Sequence, residues 1–252
     1  MNVIVDGLMT NYQKSGRGKT VLLLHGWADS VRVYAKISEY LKDDYTLLSL
    51  DLPGFGGTQA PAVAWGLDDY SKFIAKWLAK IKAGNVYAVA GHSVGGAIAI
   101  NGLSKGDFKA EKLVLLASVG PRNKNNLRKN LMKVGAKAAK VPLYALPTAK
   151  RQSIKRKLYS SIGSDALLVP GMEPTYRLVI NQGVDVAAHK IKIPTLLIYG
   201  SKDLDTTVAD GRLLHNAIAG SKFDIINASH QLPREEPEQV AGLMREFLGG
   251  KS

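Results

Sequence analysis

Short, almost unbroken apolar runs recur along the chain at Val21–Leu24, Thr46–Leu50, Val86–Ala90, Leu113–Ala117 and Thr195–Tyr199, with a weaker one at Phe223–Asn227. Strands covered on both faces read this way, as in a parallel sheet. Between them the apolar residues take a helical period: Tyr34, Ile37 and Leu41; then Tyr70, Phe73, Ile74, Trp77, Leu78 and Ile81; finally Val240, Leu243, Met244 and Phe247, ended by Gly249-Gly250. Asp68 and Asp69 suit the N-terminus of the second of these helices, because carboxylates there face the positive end of the helix dipole. Alternating strands and helices predict a mostly parallel, doubly wound α/β sheet. Val3–Val5 and Leu8–Tyr12, separated by Asp6-Gly7, predict an antiparallel hairpin ahead of it.

The alternation stops between Pro121 and Ile193. Leu127, Leu131, Val134, Ala138 and Val141, then Ile154, Leu158 and Ile162, repeat at helical spacing, and prolines at 142, 147, 170 and 174 punctuate them. We read residues 1–120 and 193–252 as one core, with 121–192 as a helical insertion between two late strands. The same segment holds fifteen Lys and Arg against three acids, and so twelve of the thirteen net positive charges. The basic character is therefore local, which makes it informative.

With 46% apolar and 22% charged residues in 252, the chain fits a globular domain rather than a disordered or fibrous one. No run reaches the ~18–20 apolar residues of a membrane helix. Met1–Thr10 carries Asp6 and lacks a basic region ahead of an apolar stretch, so no secretory leader is expected there. The absence of cysteine excludes disulfides, thiolate zinc sites and a cysteine nucleophile. A cytoplasmic location is the expectation.

Gly91-His92-Ser93-Val94-Gly95 follows the run Val86–Ala90 and precedes the small-residue stretch Gly96-Ala97-Ile98-Ala99-Ile100. This is G-x-S-x-G in a strand–turn–helix setting, where a strained turn exposes the serine hydroxyl above the sheet and the glycines admit neighbouring backbone. A serine hydroxyl needs a base to take its proton and an acid to orient that base. Of five histidines, His230 lies in a loop just past Phe223–Asn227, where a sheet-edge base belongs. His92 sits in the turn itself and is expected to point away from the serine. His189 and His215 read as surface or core residues, and His25 belongs to another element. Thr195–Tyr199 runs into Gly200-Ser201-Lys202-Asp203, which offers Asp203 as the acid. Its rival is Asp205, otherwise read as a helix cap before Thr206. The order Ser93, Asp203, His230 is the chain order of α/β-hydrolases.

Taken together, Leu24-His25-Gly26-Trp27, Asp51-Leu52-Pro53-Gly54-Phe55-Gly56, Gly91-His92-Ser93-Val94-Gly95-Gly96, Gly200-x-x-Asp203 and His230 with Glu236-Pro237-Glu238 resemble the α/β-hydrolase superfamily over nearly the whole chain outside the insertion. The resemblance implies the α/β-hydrolase fold with a helical cap at 121–192. It also implies an oxyanion hole formed by the backbone N–H groups of Trp27 and Val94. Some members carry the acid directly after the strand that is Leu113–Ala117 here; Ser118-Val119-Gly120-Pro121 offers none, which favours Asp203. Within the superfamily the blocks at His25 and Asp51 are similar to carboxylesterases of the pimeloyl-acyl-carrier-protein methyl esterase type. Gly-His-Ser-x-Gly-Gly is shared with generic esterases and monoacylglycerol-lipase-like enzymes.

A serine nucleophile excludes the aspartate-dependent dehalogenases and epoxide hydrolases of the superfamily. Acyl transfer to water from a small ester, thioester or activated amide remains, as does carbon–carbon cleavage of a diketone, or a triad-retaining small-ligand receptor. Gly16-Arg17-Gly18-Lys19-Thr20 is not a phosphate loop, because its strand follows instead of preceding it. No His and carboxylate set stands at metal-ligand spacing in the sequence, and no cofactor is expected. For the basic insertion three readings stand: a solvated surface, a docking face for an acidic carrier protein or anionic substrate, or a helix lying on an anionic membrane surface. Nucleic acid is not an expected partner, since stacking aromatics are scarce there. Salt-dependent binding to anionic vesicles and to a purified acyl carrier protein separates the three.

Overall fold

The computed structural model describes residues 1–120 and 169–249. In chain order the described strands are β1 (Asn2–Val5), β2 (Leu8–Gly16), β3 (Lys19–Leu24), β4 (Tyr45–Leu50), β5 (Val86–His92), β6 (Ala110–Leu116), β7 (Thr195–Gly200) and β8 (Lys222–Ile226). They form a sheet in the order β1-β2-β4-β3-β5-β6-β7-β8. The β1–β2 and β2–β4 pairs are antiparallel and all others parallel. The described helices are α1 (Ala35–Leu41, entered through a 3-10 turn at Val31–Tyr34), α2 (Leu67–Lys80), α3 (Val94–Lys105), α4 (Glu173–Asn181), α5 (Asp185–Ala188), α6 (Val208–Ala217), α7 (Leu232–Glu235) and α8 (Pro237–Leu248).

The unbroken apolar runs have the expected cause. Alternate residues of β3 to β7 enter different cores: Leu22, Leu24, Val89, Leu113, Leu115 and Leu197 pack with α2 and α3, and Val21, Leu23, Ala88, Ala90, Val114 and Leu196 pack with α1 and α8. Both faces are dry, so neither alternate set is polar. Burying one such side chain contributes about 1.5–3 kcal/mol.

Asp6 and Gly7 both take positive φ, the two-residue turn that closes a hairpin with the right twist. The second strand runs past the expected Tyr12 to Gly16, and its exposed Gln13, Lys14 and Ser15 pair with β4. Pro174 opens α4 instead of punctuating a helix, because the first turn of a helix has no use for that N–H. The helices expected from Leu127 to Ile162 lie outside the described residues, as does most of the expected cap. None of the helices among the described residues is long and apolar enough to cross a membrane.

Strand order reverses direction at β3 and β5, which are neighbours in the sheet although β4 lies between them in sequence. Loops leaving the carboxyl ends of such neighbours diverge and leave a crevice. Leu24 and Gly91 are paired there, so His25-Gly26-Trp27 and Ser93 emerge side by side.

Candidate active site

Ser93 is the residue that turns β5 into α3. Its backbone is held at φ 52° and ψ −118°, a region that costs a non-glycine residue about 1–3 kcal/mol and persists only when the surroundings enforce it. The surroundings do so. The Ser93 N–H donates to the Leu116 carbonyl at 3.0 Å, and its own carbonyl accepts from Val119 at 3.2 Å and Gly96 at 3.1 Å. A Cβ on Gly91 would lie 2.5 Å from Gly96 Cα, and one on Gly95 would lie 2.2 Å from the Leu24 carbonyl oxygen. The two flanking glycines are therefore close-approach positions, as the motif requires.

The structure brings Ser93, His230 and Asp203 together from three strand ends. His230 Nε2 lies 3.0 Å from Ser93 Oγ, and His230 Nδ1 lies 2.8 Å from Asp203 Oδ2. A carboxylate only accepts, so Nδ1 carries the proton and Nε2 presents its lone pair to the serine hydroxyl. The Asp203 side chain is fully buried and that of His230 is 14% exposed.

Asp203 is saturated with donors. Oδ1 accepts from the backbone N–H groups of Asp205 at 2.8 Å and Thr206 at 2.9 Å, and Oδ2 accepts from Thr206 Oγ1 at 2.8 Å as well as from His230. Burial opposes its charge, but the His230 and Thr206 hydrogen bonds outweigh burial and hold the carboxyl below the usual aspartate range. Asp205 is not a helix cap. That task falls to Thr207, whose side chain accepts from the Asp210 N–H. Asp205 contributes its backbone to Asp203 and leaves its side chain exposed.

Among the described residues, Asp203, Asp205 and His230 are a trio of carboxylates and histidine whose ligand-type atoms lie within 4.8 Å of one another. The donor set does not suit a cation, because the Asp203 oxygen and His230 nitrogen that meet are already bonded to each other.

The turn after β3 is pinned by His25, which is completely buried. Its Nε2 accepts from the Leu52 N–H at 2.9 Å, which leaves Nδ1 to donate to the Gly26 carbonyl at 2.7 Å. Burial pulls its pKa below the ordinary histidine value, against the Gly26 hydrogen bond, so the ring stays neutral. Asp51 holds the same region from below. It accepts from the Val31 N–H at 2.7 Å, the Gly57 N–H at 2.8 Å and Asn11 Nδ2 at 2.7 Å. The Asp51–Gly56 block thus acts as a brace for the loops, not as a chemical group. Trp27 leaves this turn against Phe55 and Tyr176, with ring centroids 4.8 and 5.0 Å away. Val94 is the first residue of α3.

The sequence reading missed Thr206, Glu235 and the contact of His92 with His230. Thr206 stands one residue past the Asp205 N–H that closes an Asx turn on Asp203, and adds its own N–H to the same oxygen. Glu235 accepts from the N–H of Ser229 at 2.7 Å and its hydroxyl at 2.6 Å, fixing the residue before His230. The His92 ring packs against the His230 ring, 5.0 Å between centroids, and bonds its carbonyl. His215 bonds Ser221 Oγ at 2.7 Å and His189 is exposed, both away from the serine.

Residues 21–243 match a family model described as the alpha/beta hydrolase family. The chain belongs to that family. The pimeloyl-[acyl-carrier protein] methyl ester esterase of Chromobacterium violaceum is 26% identical, with 91% of each chain covered. The monoacylglycerol lipase ABHD6 of Mus musculus is 24% identical over 93% of this chain and 77% of its own. Among solved structures, one described as a membrane phospholipase A, a bacterial virulence factor, superposes with a TM-score of 0.78 at 23% identity, covering 99% of this chain and 85% of its own. The fold class, the sheet and the resemblance to esterases and monoacylglycerol lipases all agree with the sequence reading.

Proposed function

We propose that this hydrolase cleaves a small carboxylic ester or thioester through an acyl-enzyme on Ser93. The reading is carried by the chain of contacts Ser93 Oγ to His230 Nε2 at 3.0 Å and His230 Nδ1 to Asp203 Oδ2 at 2.8 Å. The strained turn at Ser93 supports it, as do relatives whose names specify ester hydrolysis.

In this reading Ser93 Oγ attacks the ester carbonyl carbon as its proton passes to His230 Nε2, and the carbonyl oxygen becomes an oxyanion. The N–H groups of Trp27 and Val94 receive that charge. Collapse breaks the bond to the alcohol or thiol, which leaves with the proton from His230. A water then repeats the sequence on the acyl-enzyme, giving its proton to His230 and releasing the acid and Ser93. Asp203 stays ionised and holds the imidazole in the tautomer that accepts the serine proton.

A fluorophosphonate probe reacts with an activated serine and is expected to label Ser93 alone. Labelling elsewhere, or none in the folded wild-type chain, overturns the proposal.

Two further outcomes follow from the geometry. Between pH 5 and 8 Asp203, held below the usual range, remains anionic, and His92, pushed down to about 3 by burial and by the neighbouring His230, remains neutral. The remaining imidazole of the contact chain is the base itself, with Nε2 on Ser93 Oγ. Activity on p-nitrophenyl acetate should therefore rise with pH as Nε2 loses its proton and becomes the base. A flat profile would contradict the base role. Thr206→Val keeps the side-chain shape but removes the hydroxyl that bonds Asp203. It should lower kcat by about 10-fold, the worth of one hydrogen bond to a charged group, whereas Thr206→Ser should stay close to wild type.

A further inference from the structure

Position 92 ends a strand buried on both faces, and such a position ordinarily takes an apolar side chain. This chain places a histidine there, 2% exposed. Its Nε2 lies 2.8 Å from the carbonyl oxygen of His230. A carbonyl only accepts, so Nε2 carries the proton and Nδ1 the lone pair. Nδ1 is buried and has no hydrogen-bond partner among the described residues. An unpaired buried acceptor works against stability, and a leucine would fill the space without that penalty. Packing therefore does not account for the histidine, whereas its N–H does have a partner, the backbone of the base.

The contact is not confined to one atom. The His92 and His230 rings lie 5.0 Å apart, tilted by 40°. Asp203 anchors the far edge of the His230 ring at Nδ1, and Glu235 clamps the preceding Ser229. A ring held at one edge still swings if its backbone drifts, and the His92 N–H is what ties that backbone to the strand bearing the serine. On its other side His92 borders the Gly26 turn: a Cβ on Gly26 would lie 3.1 Å from both His92 Nδ1 and Ser93 Cβ. One imidazole thus stands between the base, the serine and the turn that leads to Trp27.

We propose that His92 is a positioning residue for His230: its Nε2–H fixes the loop carrying the base, keeping His230 Nε2 in register with Ser93 Oγ. The inference rests on the serine-hydrolase reading above. Neutrality of His92 is part of the device, because His230 becomes a cation in each half-reaction and a second cation beside it would oppose that step. Among the described residues, the charged and titratable groups facing the pair include Asp203 and Asp205 from the β7 loop, His25 from the β3 turn and Tyr34 ahead of α1.

The test compares His92→Leu, which removes the donor, with His92→Gln, whose amide nitrogen replaces Nε2, both checked for folding by thermal unfolding. On p-nitrophenyl butyrate His92→Leu should lose about 10- to 100-fold in kcat, the scale of a misplaced catalytic group. KM should stay within about twofold. Its kinetic pKa should fall, because the imidazolium loses its fixed place beside Asp203, and fluorophosphonate labelling of Ser93 should slow in proportion. His92→Gln should recover most of the loss. Wild-type kcat, labelling rate and kinetic pKa in folded His92→Leu overturn the proposal, as does an equal loss in His92→Gln, which would mean that only side-chain volume matters. A measurement on the unaltered chain needs no variant to fold: in 15N-histidine spectra at pH 5, His92 should be neutral and protonated at Nε2. The opposite tautomer or a cation overturns the proposal. Failure of the wild type to label at Ser93 instead overturns the serine-hydrolase reading beneath it, so the two failures are distinguishable.

Discussion

Replacing Ser93 with alanine is expected to lower kcat on p-nitrophenyl esters by roughly 10^4- to 10^6-fold, the loss seen when a nucleophile that works as one unit with its base is removed. The fold should survive. The turn is enforced by backbone bonds to Leu116, Val119 and Gly96 and by the close approaches at Gly91 and Gly95, none of which involves the hydroxyl. The Oγ contact that the substitution removes is with His230, on a partly exposed ring. Thermal unfolding within a few degrees of wild type, with fluorophosphonate labelling abolished, is the expected pair of results. Normal turnover in Ser93→Ala would end the nucleophile reading. It would also reopen the receptor alternative, in which the same fold binds a ligand without cleaving it.

The core sheet was legible because its chemistry is repetitive. Val21–Leu24 and Leu113–Ala117 are apolar at every position, since α2 and α3 cover one face and α1 and α8 the other, as parallel strands buried on both faces require. Strand ends were less legible. Gln13–Gly16 is polar and exposed on a strand near the sheet edge, so its pairing with β4 left no hydrophobic trace. The helices of 173–188 were blurred by Pro174, which reads as a breaker until its place at the first turn of α4 is known.

At the site, the residues with fixed spacing from a strand end were legible, while those that act through contacts between distant segments were not. Ser93 is marked by its glycines, and Asp203 and His230 follow β7 and β8. The bond from His92 to the His230 carbonyl joins positions 138 apart, and no local pattern encodes it. Thr206 lies between: its turn with Asp203 is local, but its hydroxyl also lies 3.0 Å from the Ala117 carbonyl across the sheet, its one proton shared between that oxygen and Asp203 Oδ2. That contact ties the loop carrying the acid to the end of β6.

Asp203→Asn is expected to cost about 10^4-fold in kcat, the size of the tautomer effect in serine-protease triads, and Asp205→Asn only a few-fold at most. The asymmetry comes from what each oxygen receives. Asp203 Oδ1 takes two backbone N–H groups, so an asparagine there keeps its carbonyl oxygen on that side. The amide NH2 then falls where Oδ2 now accepts from His230 Nδ1–H at 2.8 Å and Thr206 Oγ1 at 2.8 Å. Two donors cannot face each other, so His230 would shift its proton to Nε2 and bond the amide through Nδ1. An imidazole with a proton on Nε2 cannot accept the one from Ser93. Asp205 offers Asp203 its backbone N–H, which the asparagine variant retains, and its exposed side chain adds a charge screened by water. Steady-state kinetics of both variants, with Ser93 labelling rates as a second reading, decide between them: equal losses, or a larger loss in Asp205→Asn, would assign the orienting carboxylate to position 205.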